Sequence, residues 1–355
     1  MNENSLHIRP NYIDYAKVIG MFLVIFAHYY YYYYQGPKLA ANSLLYSIHS
    51  IQLFHMPLFF IISGFLYKGI NSYKEEVSKI WNTLCVPYIL ICWIVIAIYF
   101  ILFGEFSWQK LFNITISFIT GYDLPNRHID AVCGPMWFVY ALIIIRLLYM
   151  AIRKYKYILY LAILSGVIIM HCGNCLPFRL DSAFVGFLFF TIGCYGKKWI
   201  SLFVDAKWWL KGIFFMLSMF ILILVGCVSD DFNDINQSFS INAMRFGKYP
   251  LLFLCSGVAG TIIILLLGSA LAYIHTYIHT YIHTARRLSV VQTLSTGMIV
   301  TLGFHKLVLT LILALHLPQA LTIPYAVLYA LATYGLTYII IKLLQNYISI
   351  AIGRR

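Results

Sequence analysis

Three ionisable residues, Asp14, Lys17 and His28, lie in the first apolar run of the chain. Charged and titratable groups inside a bilayer are costly and mark places where polar chemistry occurs. Lys17 and His28 are eleven residues apart. At 3.6 residues per turn that is close to three full turns, so both side chains point the same way, about 16 Å apart along the axis. Asp14 stands one turn before Lys17, near the same stripe. Such a stripe must face a cavity or other protein. For Asp14 and Lys17 a plainer reading exists, an interfacial ion pair with a snorkelling lysine; it leaves His28 without an account.

The second apolar run carries His55-Met56-Pro57 and then Ser63-Gly64. Pro57 removes a backbone donor and frees the carbonyl one turn earlier, which is tolerable in a membrane only where protein or water satisfies it. Ser63-Gly64 permits close helix approach. This run crosses in the opposite sense to the first, so His55 falls at a depth like that of His28, and two histidines at one depth could flank a substrate hydroxyl. The alternative for His55 is a satisfied histidine in a kinked helix. Further candidates are Trp137, Asp181 with Arg179, and His305 with Lys306. Trp137 also suits an interfacial belt, whereas a mid-membrane His-Lys pair demands polar surroundings.

The elements that must position these groups are membrane helices. Of 355 residues, 62% are hydrophobic and 10% charged, with mean hydropathy +0.82; soluble domains carry about 25% charged residues. The expected fold is all-α and polytopic, a single membrane domain over 1–355. About ten spans are expected, near 12–34, 47–70, 81–103, 135–152, 155–172, 180–196, 208–228, 249–272, 295–317 and 320–343. The stretches 104–134, 228–248 and 273–294 read as aqueous connections. With both termini cytoplasmic, sixteen of the 25 Lys and Arg fall on inner segments, as the positive-inside rule requires. Lys38, Lys110, Arg127, Arg179, Arg245 and Lys248 fall outside, and Lys17, Arg146 and Lys306 lie within spans. A net charge of +13 distributed in this way speaks for membrane topology and not for nucleic acid, and no nucleic-acid-binding motif accompanies it. The first run contains Asp14 and Lys17 and lacks a cleavage site, so it reads as a retained helix.

Other features carry weaker readings. Cys133, Cys172 and Cys175 fall near one face and could form a disulfide there. Tyr29–Tyr34 suits an interfacial belt or, alternatively, a platform for stacking a sugar. Tyr273–Thr284 reads YIHT three times, placing His275, His279 and His283 on one helical face; a duplicated tract in a tolerant loop accounts for it, and no metal site is expected.

The order Asp14-Tyr15-Ala16-Lys17 … His28, Phe54-His55-Met56-Pro57-Leu58-Phe59-Phe60 … Ser63-Gly64-Phe65, then Pro135-Met136-Trp137-Phe138, resembles the membrane-bound acyltransferase-3 family. Within it, the chain is similar to the branch of fucose 4-O-acetylase and related sugar O-acetyltransferases. Leu180-Asp181-Ser182-Ala183 through Phe189-Phe190-Thr191-Ile192-Gly193 and a late helix with Gly303-Phe304-His305 extend the likeness over most of the chain. Each motif is weak alone; their order and spacing are specific. The resemblance implies transfer of an acyl group, usually acetyl, from cytoplasmic acetyl-CoA to a hydroxyl of a surface or lipid-linked carbohydrate, in the cytoplasmic membrane of the cell and without a bound cofactor. The family pattern of a basic residue, ten positions and a histidine maps onto Lys17 and His28. Many members have arginine at the first position, and lysine cannot make its bidentate contacts.

Residues and resemblance converge on one mechanism. Lys17, with Asp14, belongs to donor binding, and His28 is the general base towards the acceptor hydroxyl. His55, Ser63, Trp137, Asp181 and His305 are candidates for orienting the acceptor or stabilising the oxyanion, with a polar shaft along the first helix joining the two ends. The rival reading is export of a polysaccharide or lipid-linked sugar without acyl transfer. No convincing internal repeat relates two halves of the chain, and no P-loop is present.

Overall fold

Apolar runs that must satisfy their own backbone in lipid form helices or closed barrels, and long runs rich in Leu, Ile and Phe without periodic turns form helices. The computed structural model describes residues 11–33, 43–69, 72–103, 106–120, 134–173, 176–229, 239–282, 290–315, 322–348 and 350. In chain order the helices are α1 Asn11–Tyr33, α2 Ser43–Gln52, α3 His55–Phe65, α4 Tyr73–Ile80, α5 Val86–Phe103, α6 Trp108–Thr120, α7 Trp137–Ile152, α8 Lys156–Cys172, α9 Leu180–Tyr195, α10 Lys197–Asp205, α11 Trp208–Ser229, α12 Pro250–Ile282, α13 Val290–Thr296, α14 Met298–Ala314 and α15 Ile323–Tyr347. A π-helical turn, Trp81–Cys85, joins α4 to α5, and a 3₁₀ turn, Gly134–Met136, leads into α7. Among the described residues there is no strand, only an isolated bridge between Ser240 and Arg245.

The chain is thus an all-α polytopic membrane protein. Among the described residues, seven helical stretches are long and apolar enough to cross a bilayer, or nine if each bent pair counts as one span; α8 is a shorter apolar helix. The bent pairs break at glycine: α9 and α10 meet at 64° around Gly196, and α13 and α14 at 86° around Gly297. Two expectations need correction. The stretch 104–134 is not all connection, because α6 forms there with Phe106, Trp108 and Phe112 exposed, the pattern of a helix lying in an interface. The region after 272 also begins as helix, since nothing in the YIHT tract breaks α12 before Ile282.

The core of the bundle is built on α1, α3, α9, α12, α14 and α15. At the α3–α9 contact the backbones touch. A Cβ on Gly64 would lie 2.0 Å from Phe190 O, and one on Gly193 would lie 2.0 Å from Ile61 O. Each helix therefore supplies one glycine to admit the other's carbonyl. This contact fixes α3 and, through the short connection to it, the residues at its outer end.

Pro57 behaves as its chemistry requires. Its missing N–H leaves Leu53 O without its usual intrahelical partner, and the chain breaks between α2 and α3 at Leu53–Phe54. The Ser256 hydroxyl lies 3.5 Å from Leu53 O and 3.0 Å from Phe253 O, so a neighbouring helix covers the gap. His55 is the first residue of α3 and lines a cavity together with residues of α1 and α14.

Candidate functional site

The stripe on α1 meets two cavities. One, of about 340 Å³, is lined by Val24, Ala27 and His28 of α1, Gln52, His55 and Met56 near the α2–α3 break, Trp137 at the start of α7, and Leu302 and Lys306 of α14. Phe239, Ser240, Ile241, Asn242, Ala243 and Arg245 close it. The other, of about 400 Å³, is lined by Lys17 of α1, Ser63, Tyr67, Lys68, Lys79, Thr83, Arg146 of α7, and Ser295 with Thr296 of α13. The linings share no residue.

The expected continuous shaft is therefore two chambers divided by an apolar layer. Lys17 and His28 stand about three turns apart on α1, and the buried Met21 and Val24 occupy the same face between them. The layer is thin. On α3, Phe59 lines the Lys17 chamber and Met56 the His28 chamber; on α14, Ile299 lines the first and Leu302 the second. Three residues of helix rise about 4.5 Å, so the chambers approach within one turn.

In the His28 chamber the imidazoles share one device. His28 Nδ1 lies 2.8 Å from Val24 O and His55 Nδ1 3.1 Å from Ile51 O. His305 Nδ1 lies 3.1 Å from Thr301 O and 2.9 Å from Leu302 O. A carbonyl only accepts, so each Nδ1–H donates into its own helix and the neutral ring keeps its lone pair on Nε2. The His28 and His305 rings meet edge to face with centroids 5.0 Å apart. His305 is fully buried behind His28 and does not line the chamber. Trp137 forms a wall and its ring centroid is 6.5 Å from that of Phe60.

Asp181 stands elsewhere. It is buried in the first turn of α9, and its Oδ1 accepts from the Ser182 backbone N–H at 2.7 Å. Ser182 Oγ donates to Ile241 O at 3.2 Å, and Arg179 Nη1 donates to Asn242 O at 3.2 Å. The start of α9 thereby holds the loop that roofs the chamber. Paired backbone bonds between Ser240 and Arg245, 2.8 and 2.9 Å, clasp that loop. The three described non-glycine residues with positive φ, Phe178, Arg179 and Met244, all lie in these two segments, where strain of about 1–3 kcal/mol per residue is characteristic of ligand clamps.

The Lys17 chamber is cationic. Lys17, Lys68, Lys79 and Arg146 line it, and among the described lining residues there is no carboxylate. Asp14 is buried at 4% exposure and accepts a hydrogen bond from Ser295 Oγ, which ties α13 to α1 beside Lys17. Ser63 belongs to this chamber and not to that of His28. A second buried carboxylate holds the chamber wall. Glu76 of α4 accepts from the Tyr67 hydroxyl and lies 3.1 Å from Arg153 Nη2, while Arg153 Nη1 donates to Tyr67 Oη at 2.9 Å. Removing one partner of a buried ion pair costs on the order of 3 kcal/mol or more. Glu76→Ala is therefore expected to lower the thermal unfolding temperature in detergent clearly; an unchanged transition would contradict a structural role for this triad.

Gln52, Ser240, Asn242 and Arg245 of one chamber, and Arg146, Lys79 and Thr83 of the other, were not among the site candidates from sequence, whereas Lys306 was named there beside His305. Lys306 and Arg146 did carry a signal, since both are cations inside spans. The roof residues lie in a short polar connection and show nothing in sequence that ties them to the site. Of the other sequence features, Tyr29 is buried and stacks on Tyr329 at 5.1 Å, so it is a core residue and not part of a belt; the side chains of the tyrosines that follow lie outside the described residues. Cys172 is exposed, while Cys133 and Cys175 lie outside the described residues. The same holds for the side chains of His279 and His283. Among the described residues no cluster of His, Cys, Asp or Glu could hold a metal ion.

The sequence model of the acyltransferase domain family, type 3, matches residues 11–342. The chain belongs to that family. It is accordingly a multi-pass membrane acyltransferase. No curated protein and no solved structure matches it.

Proposed function

We propose that this acyltransferase moves an acetyl group from cytoplasmic acetyl-CoA to a hydroxyl of a cell-surface or lipid-linked carbohydrate, in the cytoplasmic membrane. The observation that carries the reading is the pair of chambers on one face of α1, with Lys17 in one and His28 in the other.

The Lys17 chamber suits the donor. Four cations around hydroxyl groups favour phosphates, and the inner assignment of this end follows from the positive-inside count. The donor's phosphates meet Lys17, Lys68, Lys79 and Arg146, and its thioester arm crosses the thin apolar layer between Phe59 and Met56. The His28 chamber suits the acceptor. Trp137 offers a flat wall for a sugar ring, and the roof loop offers polar groups for its hydroxyls.

The chemistry is then direct. His28 Nε2 takes the proton of the acceptor hydroxyl as its oxygen attacks the thioester carbonyl carbon, and the carbonyl π pair moves onto oxygen. Collapse re-forms the C=O bond and breaks C–S. The departing thiolate takes the proton from His28, giving the ester and free thiol. General base catalysis of this kind contributes about 10²–10⁴-fold. Family membership favours this over glycan export, which needs no base and no donor chamber.

Two experiments test the reading. Mass spectrometry of surface glycans from a strain lacking the protein should show loss of an acetyl ester, and an unchanged glycan profile would count against the proposal. Lys17→Ala should raise the donor KM about tenfold, equivalent to about 1.4 kcal/mol, with the acceptor KM little changed. An unchanged donor KM removes Lys17 from donor binding.

A further inference from the structure

A tetrahedral intermediate places negative charge on the former carbonyl oxygen, and the site must hold hydrogen-bond donors where that charge appears. The imidazoles are unsuited to this. In each neutral ring Nδ1–H is committed to a carbonyl of its own helix, and Nε2 can only accept. His305 Nε2 is buried with no hydrogen-bond partner, so it adds another acceptor, not a donor. Around His28 the structure gathers lone pairs, and the donor must come from another residue.

The remaining polar groups of the chamber are Gln52, Ser240, Asn242, Arg245 and Lys306. Ser240, Asn242 and Arg245 belong to the roof, and Arg245 is largely exposed; they meet the part of the acceptor that enters last. Gln52 is a neutral amide. Lys306 is a cation carried by a bundle helix, adjacent in sequence to the ring that packs on His28. It lines the same chamber as His28. A fixed cation in a site walled by Leu302, Met56 and Trp137 stabilises developing negative charge far better than the same group in water.

We propose that the Lys306 ammonium is the oxyanion-stabilising group of the transfer reaction, a catalytic role that rests on the acyl-transfer reading above. As the acceptor oxygen bonds to the carbonyl carbon and its proton passes to His28 Nε2, the π pair shifts to oxygen and Lys306 Nζ–H donates to it. When C–S breaks, the pair returns to the C=O bond and the lysine keeps its proton. Lys306 is thus neither base nor nucleophile, and it undergoes no net change. His305, with its unpartnered Nε2, is left as a packing support for the His28 ring.

The test compares Lys306→Met, Lys306→Arg and His28→Gln in the full-length protein, reconstituted with labelled acetyl-CoA and the acceptor glycan. Lys306→Met should lose about 10²–10³-fold in kcat, as removal of one oxyanion donor does elsewhere, with both KM values within about threefold. Lys306→Arg, which keeps a charged donor, should recover at least a tenth of the wild-type kcat. If Lys306→Met keeps kcat within threefold, or loses activity only through KM, the proposal is overturned; His28→Gln inactive in the same series would leave the acyl-transfer reading standing. If Lys306→Met does not fold, Lys306→Gln is read by the same split of kcat from KM. Activity in His28→Gln would instead overturn the acyl-transfer mechanism itself.

Discussion

His28→Gln is expected to lower kcat by about 10³-fold, within the range assigned to a positioned general base, while the protein remains folded. Glutamine is close to imidazole in length and its amide can still donate towards Val24 O, 2.8 Å from Nδ1 in the native ring. It has no group that takes up a proton near pH 7. The loss therefore isolates the base from its packing role. His28→Ala should be at least as severe, because it also removes the ring that meets His305 at 5.0 Å. Steady-state transfer of labelled acetyl, with thermal unfolding as the folding control, reads both. A His28→Gln protein with wild-type kcat would mean that the acceptor is activated elsewhere.

Gly64→Leu and Gly193→Val are expected to abolish the folded protein. A Cβ at either position would meet a carbonyl oxygen at 2.0 Å, and the obstacle is backbone in a buried helix pair. No rotamer relieves such a clash; α3 and α9 would have to separate. Overpacking in cores costs about 1–3 kcal/mol where side chains can yield, and here they cannot, so the loss should exceed that range. Even alanine should be damaging at both sites. Gly335→Ala is the control: an added Cβ there has nothing within 4 Å, and helix propensity favours alanine by up to about 1 kcal/mol. Monodispersity by size-exclusion chromatography and the unfolding temperature in detergent measure the difference. A stable Gly193→Val protein would show that the α3–α9 contact is looser than described.

How much of this was legible in the sequence depends on which force set each feature. Hydropathy is set by the bilayer, so the helical class and the places of the spans followed from composition. Helical geometry put Lys17 and His28 on one face, and both do line cavities. Pro57 announced an unsatisfied carbonyl, and Ser256 on a distant helix covers it, which no local pattern could name. The two chambers in place of one shaft were not legible, because the dividing layer is built from residues of three helices that are distant in sequence, α1, α3 and α14. Ser63 and Asp181 show the same limit. Each has a chemistry that would suit the His28 chamber, but tertiary packing carries Ser63 to the Lys17 side and buries Asp181 in the first turn of α9, off the chamber lining. Lys306 stood in plain view beside His305. The reason to prefer it as a donor, three histidines each spending Nδ1–H on their own helices, exists only in three dimensions.

The central claim is that donor and acceptor enter from opposite faces and meet across the layer between Phe59 and Met56. It is tested by reconstituting the protein in sealed, uniformly oriented proteoliposomes, with labelled acetyl-CoA confined to the side of the Lys17 chamber and acceptor glycan to the other. Labelled acetyl ester should appear on the glycan, and none with His28→Gln. Transfer that occurs only when both substrates share one side would contradict it.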